Sequence, residues 1–312
     1  MKNYLKQAGN IHLSYYLEAA HILDIEYEVL VHKLLARFEH KGKHWFIINT
    51  VTPLVNSPGK TIAARKNLTN IVLKKAGIPV PKQASLTTVE EAARFYEKNK
   101  SIVLKPREGI GGRGLCMLPG SVDELSTGFK EATKTSKSGV VLAETFIKGD
   151  NYRLLTLDKD VIGTVKRLPA QLEADGENTI QNLILTKNPK VPIDSETIKV
   201  LKKQGLSLND IPKNNEIIYL RNNTNLTTGG TTQECLKEVH PYYKNLAVKA
   251  LQALDIKLGG VDLITEDITK PSKCAINEVN YNPGLRIHYQ VHKGEKIKVA
   301  IPIMKYIRDN KI

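Results

Sequence analysis

Apolar residues fall at helical spacing over residues 13–23, and this predicts a helix. Residues 28–35 read as a strand or a short helix, and residues 44–51, carrying Trp45, Phe46, Ile47 and Ile48, as a strand that ends at Pro53. The stretch 53–59, with two prolines and Gly59, reads as a linker, followed by a helix over 61–76 that Gly77, Pro79 and Pro81 stop. A strand and helix rhythm follows: a strand at 85–87, a helix over 89–99 with Thr88 as N-cap, and a strand over 101–105. Beyond a glycine-rich turn the pattern predicts a helix around 123–135, then strands over 140–143, 152–157 and 161–167. Short helices over 178–185 and 194–204, a strand over 216–220, a helix over 241–254 and strands over 259–264 and 274–279 complete the expectation. No internal repeat and no low-complexity segment interrupts it, and the class is mixed α/β (α+β) with antiparallel hairpins.

A chain of 312 residues can bury a substantial core and is long enough for more than one lobe. No apolar run approaches the roughly 18–20 residues of a membrane helix. The N-terminus, Met1-Lys-Asn-Tyr-Leu-Lys-Gln, lacks an apolar signal core, so a cytoplasmic protein without a membrane partner is expected. Cys116, Cys235 and Cys274 are odd in number and lack metal-ligand spacing, which reads as three reduced thiols. The formal charge of +14 has two explanations: contact with a polyanion such as nucleic acid, or attraction of an anionic substrate such as a nucleotide. The lysines are scattered and only 6% of residues are aromatic, so a base-stacking platform is poorly supported and nucleic-acid binding is the minority reading.

Candidate chemistry changes this picture most. Asp262 sits in the strand-like run Gly-Gly-Val-Asp-Leu-Ile, and Glu278 and Asn280 follow in Ile-Asn-Glu-Val-Asn-Tyr-Asn-Pro. Positions two apart on a strand share a face, so Glu278 and Asn280 point the same way. If the Asp262 segment is the neighbouring strand, three hard oxygen ligands converge, a set that suits Mg²⁺ with retained waters and nucleotide phosphates. From these residues alone, a strand end and a solvated glutamate are an equal alternative. Lys105 closes a strand beside a loop with four glycines between 109 and 114, whose backbone N–H groups can approach phosphate oxygens closely. It is not a Walker A loop: Gly59-Lys60-Thr61 lacks the required glycine five residues earlier, where Leu54 stands. Lys66 is a second phosphate cation or a solvated helix lysine. Glu144, after the apolar run 140–143, is an acceptor for an adenine amino group or an ordinary strand-end glutamate.

Longer strings then compare closely with a known group. Lys66, the Lys75-Ala-Gly-Ile-Pro-Val-Pro81 string, Lys105 with its glycine loop, Ala143-Glu-Thr-Phe-Ile-Lys-Gly149 and the Asp262, Glu278 and Asn280 set occur in the order seen in ATP-grasp ligases. Lys166-Arg-Leu-Pro-Ala170, Asp175-Gly-Glu-Asn-Thr-Ile180, Leu201-Lys-Lys-Gln-Gly205, Tyr219-Leu-Arg221 with Asn225-Leu-Thr-Thr-Gly-Gly230, and Asn282-Pro-Gly-Leu-Arg-Ile-His288 are similar to the ATP-grasp domains of cyanophycin synthetase and of bifunctional glutathione synthetases. The resemblance runs from about residue 61 to 307. It implies an ATP-grasp fold of two α/β lobes, residues 61–142 and 143–312, clasping ATP, preceded by a small N-terminal α/β segment, residues 1–60, for which no resemblance is claimed. It further implies ATP and Mg²⁺ (or Mn²⁺) as cofactors. Lys66, Lys105, Gly111, Gly112, Gly114, Glu144, Phe146, Ile147 and Asn151 are then expected to hold the nucleotide, and Asp262, Glu278 and Asn280 the metal.

The implied reaction joins a carboxylate to an amine through an acylphosphate, on an amino acid or a short acidic peptide. Arg286 and Arg167 are the expected forks on the transferred phosphoryl group, Gly229 and Gly230 the oxyanion donors, and Arg221, Asn225 and His288 the substrate contacts. The chain departs from the group in three places: Arg65 replaces an aspartate before the first lysine, Asn151 a ribose-binding carboxylate, and Ala174 a turn glycine. It also carries neither the additional domains of cyanophycin synthetase nor the glutamate–cysteine ligase half of the bifunctional enzymes, so the substrate is not simply transferred, and a homo-oligomer is expected by analogy only. A nucleotide-binding protein without turnover and a basic nucleic-acid-binding protein are the rival readings.

Overall fold

The computed structural model describes residues 3–108, 114–224 and 226–310. The N-terminal segment comprises α1 (Tyr4–Ala8) and α2 (Ile11–Ile22), then an antiparallel meander of β1 (Glu26–Val31), β2 (Leu35–His40) and β3 (Lys43–Ile48). The stretch 28–35, expected as one element, is split because Lys33 takes a left-handed turn conformation at φ +69°. Asn10 caps α2 by accepting the N–H groups of His12 and Leu13. The apolar face of α2 covers one side of the meander, burying Phe38 and Ile47.

Two short helices follow, α3 (Ser57–Ala63) and α4 (Lys66–Lys75). The expected linker at 53–59 is therefore already helical from Ser57, and the expected single helix over 61–76 is broken at Ala64 and Arg65. The break has two causes: the Thr69 hydroxyl takes the Ile62 carbonyl at 2.9 Å, and Gly59 presses α3 against Ile256, where a Cβ would stand 2.3 Å from the isoleucine methyl. Gly59-Lys60-Thr61 thus belongs to a packing helix.

A four-stranded antiparallel sheet comes next, built from β4 (Gln83–Leu86), α5 (Val89–Asn99), β5 (Ile102–Pro106), β6 (Cys116–Met117), α6 (Val122–Thr135) and β7 (Val141–Thr145), in the strand order β4-β7-β5-β6. Thr88 and Glu91 form a reciprocal capping box at the start of α5, as the sequence predicts. Leu125, Phe129 and Ala132 of α6 and Ala92 of α5 bury their apolar stripe against Ile102, Leu104, Val141 and Ala143.

The remaining chain forms β8 (Asp150–Leu157), β9 (Asp160–Leu168), β10 (Gln171–Glu173), α7 (Ile180–Lys187), α8 (Ser195–Lys203), β11 (Ile217–Tyr219), β12 (Thr231–Glu234), α9 (Pro241–Ala253), β13 (Leu258–Thr265), β14 (Cys274–Asn280), α10 (Arg286–Tyr289) and α11 (Ala300–Asp309). Five of these strands make an antiparallel sheet in the order β12-β9-β8-β13-β14, while β10 and β11 pair separately and pack with α7 and α8 on a core of their own. Alternation along β8 sends Tyr152 and Leu154 to the face covered by α9, and Leu155 and Leu157 to the face covered by α2 and α11. The large sheet is therefore buried on both sides, and the N-terminal segment shares its core with residues 155, 157, 258, 285 and α11. No helix among the described residues is long and apolar enough to cross a membrane.

Candidate active site

Register assembles the acidic residues. In the β13–β14 ladder Asp262 stands directly opposite Glu278, and in the β13–β8 ladder it stands opposite Arg153, so the three occupy one row across adjacent strands and share a face. Asn280, two residues beyond Glu278, lies opposite Gly260 and donates weakly to its carbonyl at 3.5 Å, which leaves its amide oxygen for another partner.

Asp262 is buried, with 4% of its surface exposed, and its carboxylate is held by two guanidinium groups. Arg153 forks it through Nε and Nη2, and Arg167 reaches it from β9 through Nη2 at 3.0 Å. Burial pushes the carboxyl's proton affinity up, but the charges and hydrogen bonds of Arg153 and Arg167 outweigh it and hold Asp262 below the usual carboxylate range. A carboxylate offers about four lone-pair positions. Three are taken here. The Nε of Arg167 is buried with no hydrogen-bond partner among the described residues, an orphan donor that an anion at this place would satisfy.

The second half of the site comes from the four-stranded sheet. Lys105, 8% exposed on β5, forms an ion pair with Glu144 on β7, and its electrostatic neighbours include Lys66 from the start of α4 and Glu278 from β14. Burial lowers its proton affinity, Glu144 opposes this, and Lys66 adds to the lowering. Lys105 is thus within electrostatic reach both of a second cation, Lys66, and of Glu278 in the acidic row, the mix of charges that a triphosphate with its cation would call for. The donor set of Glu278, Asn280 and the remaining position on Asp262 fits a hard divalent ion that keeps waters and takes phosphate oxygens, since Mg²⁺ needs only one or two carboxylates from protein.

Several expected residues are engaged otherwise. Glu144 does not stand open at a strand end: it is buried within β7, where Lys105 and the Gln83 amide, at 2.6 Å, each take one of its oxygens, so it holds the lysine with part of its accepting capacity left over. The Phe146 N–H donates to the Ser101 carbonyl at 2.8 Å, so this residue retains only its carbonyl for a base edge. Arg221 is buried and spent on Asp194, at 2.5 Å, and Glu196, at 3.0 Å, where it ties β11 to the start of α8. His288 is buried beside Gly163, and desolvation together with the Arg153 charge pushes it down to about 3, so it is a neutral core residue and not a substrate contact. Gly229 has φ +89° and a Cβ there would strike Val191 at 2.4 Å, so packing alone demands glycine; Gly230 is buried and leads into β12. Gly114 also has positive φ, at +68°, and lies against Thr135 of α6. Ile147 and Asn151 flank the step from β7 into β8, and Arg286 is exposed at the start of α10. Gly111, Gly112 and Asn225 lie outside the described residues. The residue that sequence reading missed is Arg153; its only signal was a basic residue alternating with apolar ones in the run Asn-Tyr-Arg-Leu-Leu.

Comparison with known proteins identifies what the chain is similar to. Residues 78–209 match the family model of the prokaryotic glutathione synthetase ATP-grasp domain. The chain is 34% identical over 265 residues to the glutathione biosynthesis bifunctional protein GshAB of Clostridium perfringens, covering 78% of this chain and 34% of that one. It is 32% identical over 261 residues to a cyanophycin synthetase of Crocosphaera subtropica, covering 78% and 30% respectively. The crystal structure of a bifunctional glutathione synthetase from Pasteurella multocida superposes with a TM-score of 0.70 at 25% identity, over 96% of this chain and 44% of that chain. The chain thus spans about a third of the length of the curated relatives it matches.

Proposed function

From the ATP-grasp domain that this chain carries, we propose that the protein is an ATP-dependent ligase joining a carboxylate to an amine. The observation that carries the reading is that Lys105 feels both Lys66 and Glu278, while Glu278 stands opposite Asp262 across the ladder, a charge pattern suited to a triphosphate and its cation. Lys66, Lys105 and the loop containing Gly111, Gly112 and Gly114 hold the phosphates. The adenine edge meets backbone groups of Phe146 and Ile147, with Asn151 toward the ribose. Glu278 and Asn280, with the open position on Asp262, hold Mg²⁺ (or Mn²⁺). When bound, that ion neutralises phosphate charge.

In the reaction a substrate carboxylate oxygen bonds to the γ-phosphorus and ADP leaves. The amine then bonds to the acyl carbon of the acylphosphate, inorganic phosphate leaves with the C–O electron pair, and the amine proton passes to solvent. The chain's contribution is position and charge, worth several orders of magnitude when donors are fixed in advance. Arg167 directs its orphan Nε toward the transferred phosphoryl group, and Arg153 holds Asp262 in place beneath it. Arg286 forks the attacking carboxylate, N–H groups of Gly229 and Gly230 receive the tetrahedral oxyanion, and Asn225 contacts the substrate. The acid is an amino acid or a short acidic peptide, in keeping with the +14 charge.

The test is ADP release over a panel of amino acids and short acidic peptides, with products read by mass spectrometry. Glu278→Gln is expected to reduce magnesium-dependent release by about 10²-fold or more. Arg286→Ala is expected to lower turnover by a similar factor while nucleotide affinity stays near wild type. Equal activity of wild type and Glu278→Gln eliminates the ligase reading.

A further inference from the structure

The N-terminal segment reaches α10, the short helix that follows β14, through one helix of its own. On α2, His12 Nδ1 accepts the backbone N–H of Leu285 at 3.2 Å, the residue immediately before Arg286. Gly284 eases this approach, since a Cβ there would lie 3.2 Å from His12 Cε1 and the imidazole would have to give by a few tenths of an ångström. One turn further along α2, Tyr15 stacks on Tyr289 at the other end of α10, with ring centroids 3.7 Å apart and planes 13° from parallel. The helix is itself fixed: Asn10 caps it and is held by Asn49 at 3.0 Å, and Glu18 pairs with Lys298 at 2.9 Å. Two side chains at i and i+3 on one helix face therefore grip both ends of the four-residue helix that bears Arg286.

We infer that His12 is a positioning residue for Arg286, acting through a neutral imidazole that accepts the Leu285 N–H. The inference rests on the role given to Arg286 above. With Nδ1 accepting, the proton sits on Nε2. A second proton would remove the acceptor and place a cation beside the Arg286 guanidinium. The groups facing His12 are Arg286 and Tyr15, with Tyr289 and the Glu18–Lys298 pair beyond them. Burial first and the Arg286 charge second lower its proton affinity from the ordinary value of 6.5, so the imidazole is neutral at pH 7. Acid therefore disables the contact, and activity is lost on the acid side of the ordinary imidazole value.

The experiment compares wild type, His12→Phe, His12→Asn and Arg286→Ala in the ADP-release assay from acid to neutral pH. Asparagine presents its Oδ1 where Nδ1 stood and does not titrate. His12→Phe is expected to lower kcat by about 10- to 100-fold with KM for ATP nearly unchanged. His12→Asn is expected to recover most of kcat and to lose the acid-side decline of the wild type. Wild-type kcat in His12→Phe, alongside an impaired Arg286→Ala, overturns the positioning role alone; full activity of Arg286→Ala overturns the reading of Arg286. Should His12→Phe fail to fold, the pH profile of His12→Asn decides: an unchanged acid limb refutes the inference.

Discussion

Residue 260 is a glycine because Arg153 crosses the space a side chain would fill. A Cβ at 260 would stand 2.8 Å from Arg153 Cδ and 3.2 Å from Pro283 Cβ. The arginine cannot swing aside, since Asp262 holds its guanidinium. Gly260→Ala is therefore expected to displace the Arg153–Asp262 fork, lowering kcat/KM at least about tenfold and stability by about 1–3 kcal/mol. Steady-state kinetics and urea unfolding on one preparation check both, and an alanine variant with normal kcat/KM contradicts the placement of Arg153. His288 carries a prediction of a different sign. Its folded-state value of about 3 lies below the unfolded 6.5, so as pH falls the unfolded chain takes the proton first. Its contribution to stability is complete above pH 6.5 and lost progressively toward 3. In urea titrations the wild type is expected to lose more stability between pH 7 and pH 5 than His288→Phe does.

At the scale of elements, Glu108 and Gly114, the described residues on either side of 109–113, both rest on the end of α6 and the residues just after it. Glu108 accepts hydrogen bonds from the hydroxyls of Ser136 and Ser138, at 3.0 and 2.9 Å, and Gly114 rests on Thr135 at the end of α6. Desolvation raises the Glu108 carboxyl, but the Ser138, Arg107 and Ser136 hydrogen bonds prevail and bring it to about 2. Glu108→Ala is expected to raise KM for ATP about fivefold, the equivalent of ~1 kcal/mol of a net hydrogen bond, with thermal stability almost unchanged. A KM within error of wild type shows that the anchor does not serve nucleotide binding. Elements such as α5 and α9 were legible because capping residues and apolar stripes mark them locally. The helix α11 was not, since Pro302 reads as a breaker although the first helical turn tolerates it. That Glu278 and Asn280 share a face was legible because strand alternation alone puts them there; Asp262 joins them only through the register of β13 against β14. Arg153 was not, because its position depends on the register of β8 against β13 and on a missing side chain at 260, and neither is a local property. The engagement of Glu144 by Lys105 and of Arg221 by Asp194 likewise depends on partners that lie 39 and 27 residues away in the chain.

For the molecule as a whole, the decisive feature is that its N-terminal segment has no core of its own. Leu13, Tyr16 and Leu17 of α2, with Phe38 and Ile47 of the meander, are buried against Leu155, Leu157, Leu258 and Leu285, and against Ile303, Met304 and Ile307 of α11. Each large apolar side chain of this kind contributes roughly 1.5–3 kcal/mol by leaving water. Four such leucines alone then approach the about 5–15 kcal/mol that separates a folded domain from its unfolded chain. Leu155, Leu157 and Leu258 lie on the face of the five-stranded sheet that carries Arg153 and Asp262 farther along β8 and β13, with Glu278 beside them on β14. Removing residues 1–60 therefore strips one side of the sheet that bears the proposed chemistry, and loss of the His12 contact is the smaller consequence. A chain beginning at Thr61 is expected to lack a cooperative thermal transition and to bind an apolar fluorophore, whereas the full chain melts in a single step. Ellipticity at 222 nm against temperature reads the difference, and a sharp transition within a few degrees of the full chain's would mean that the sheet closes its core without α2.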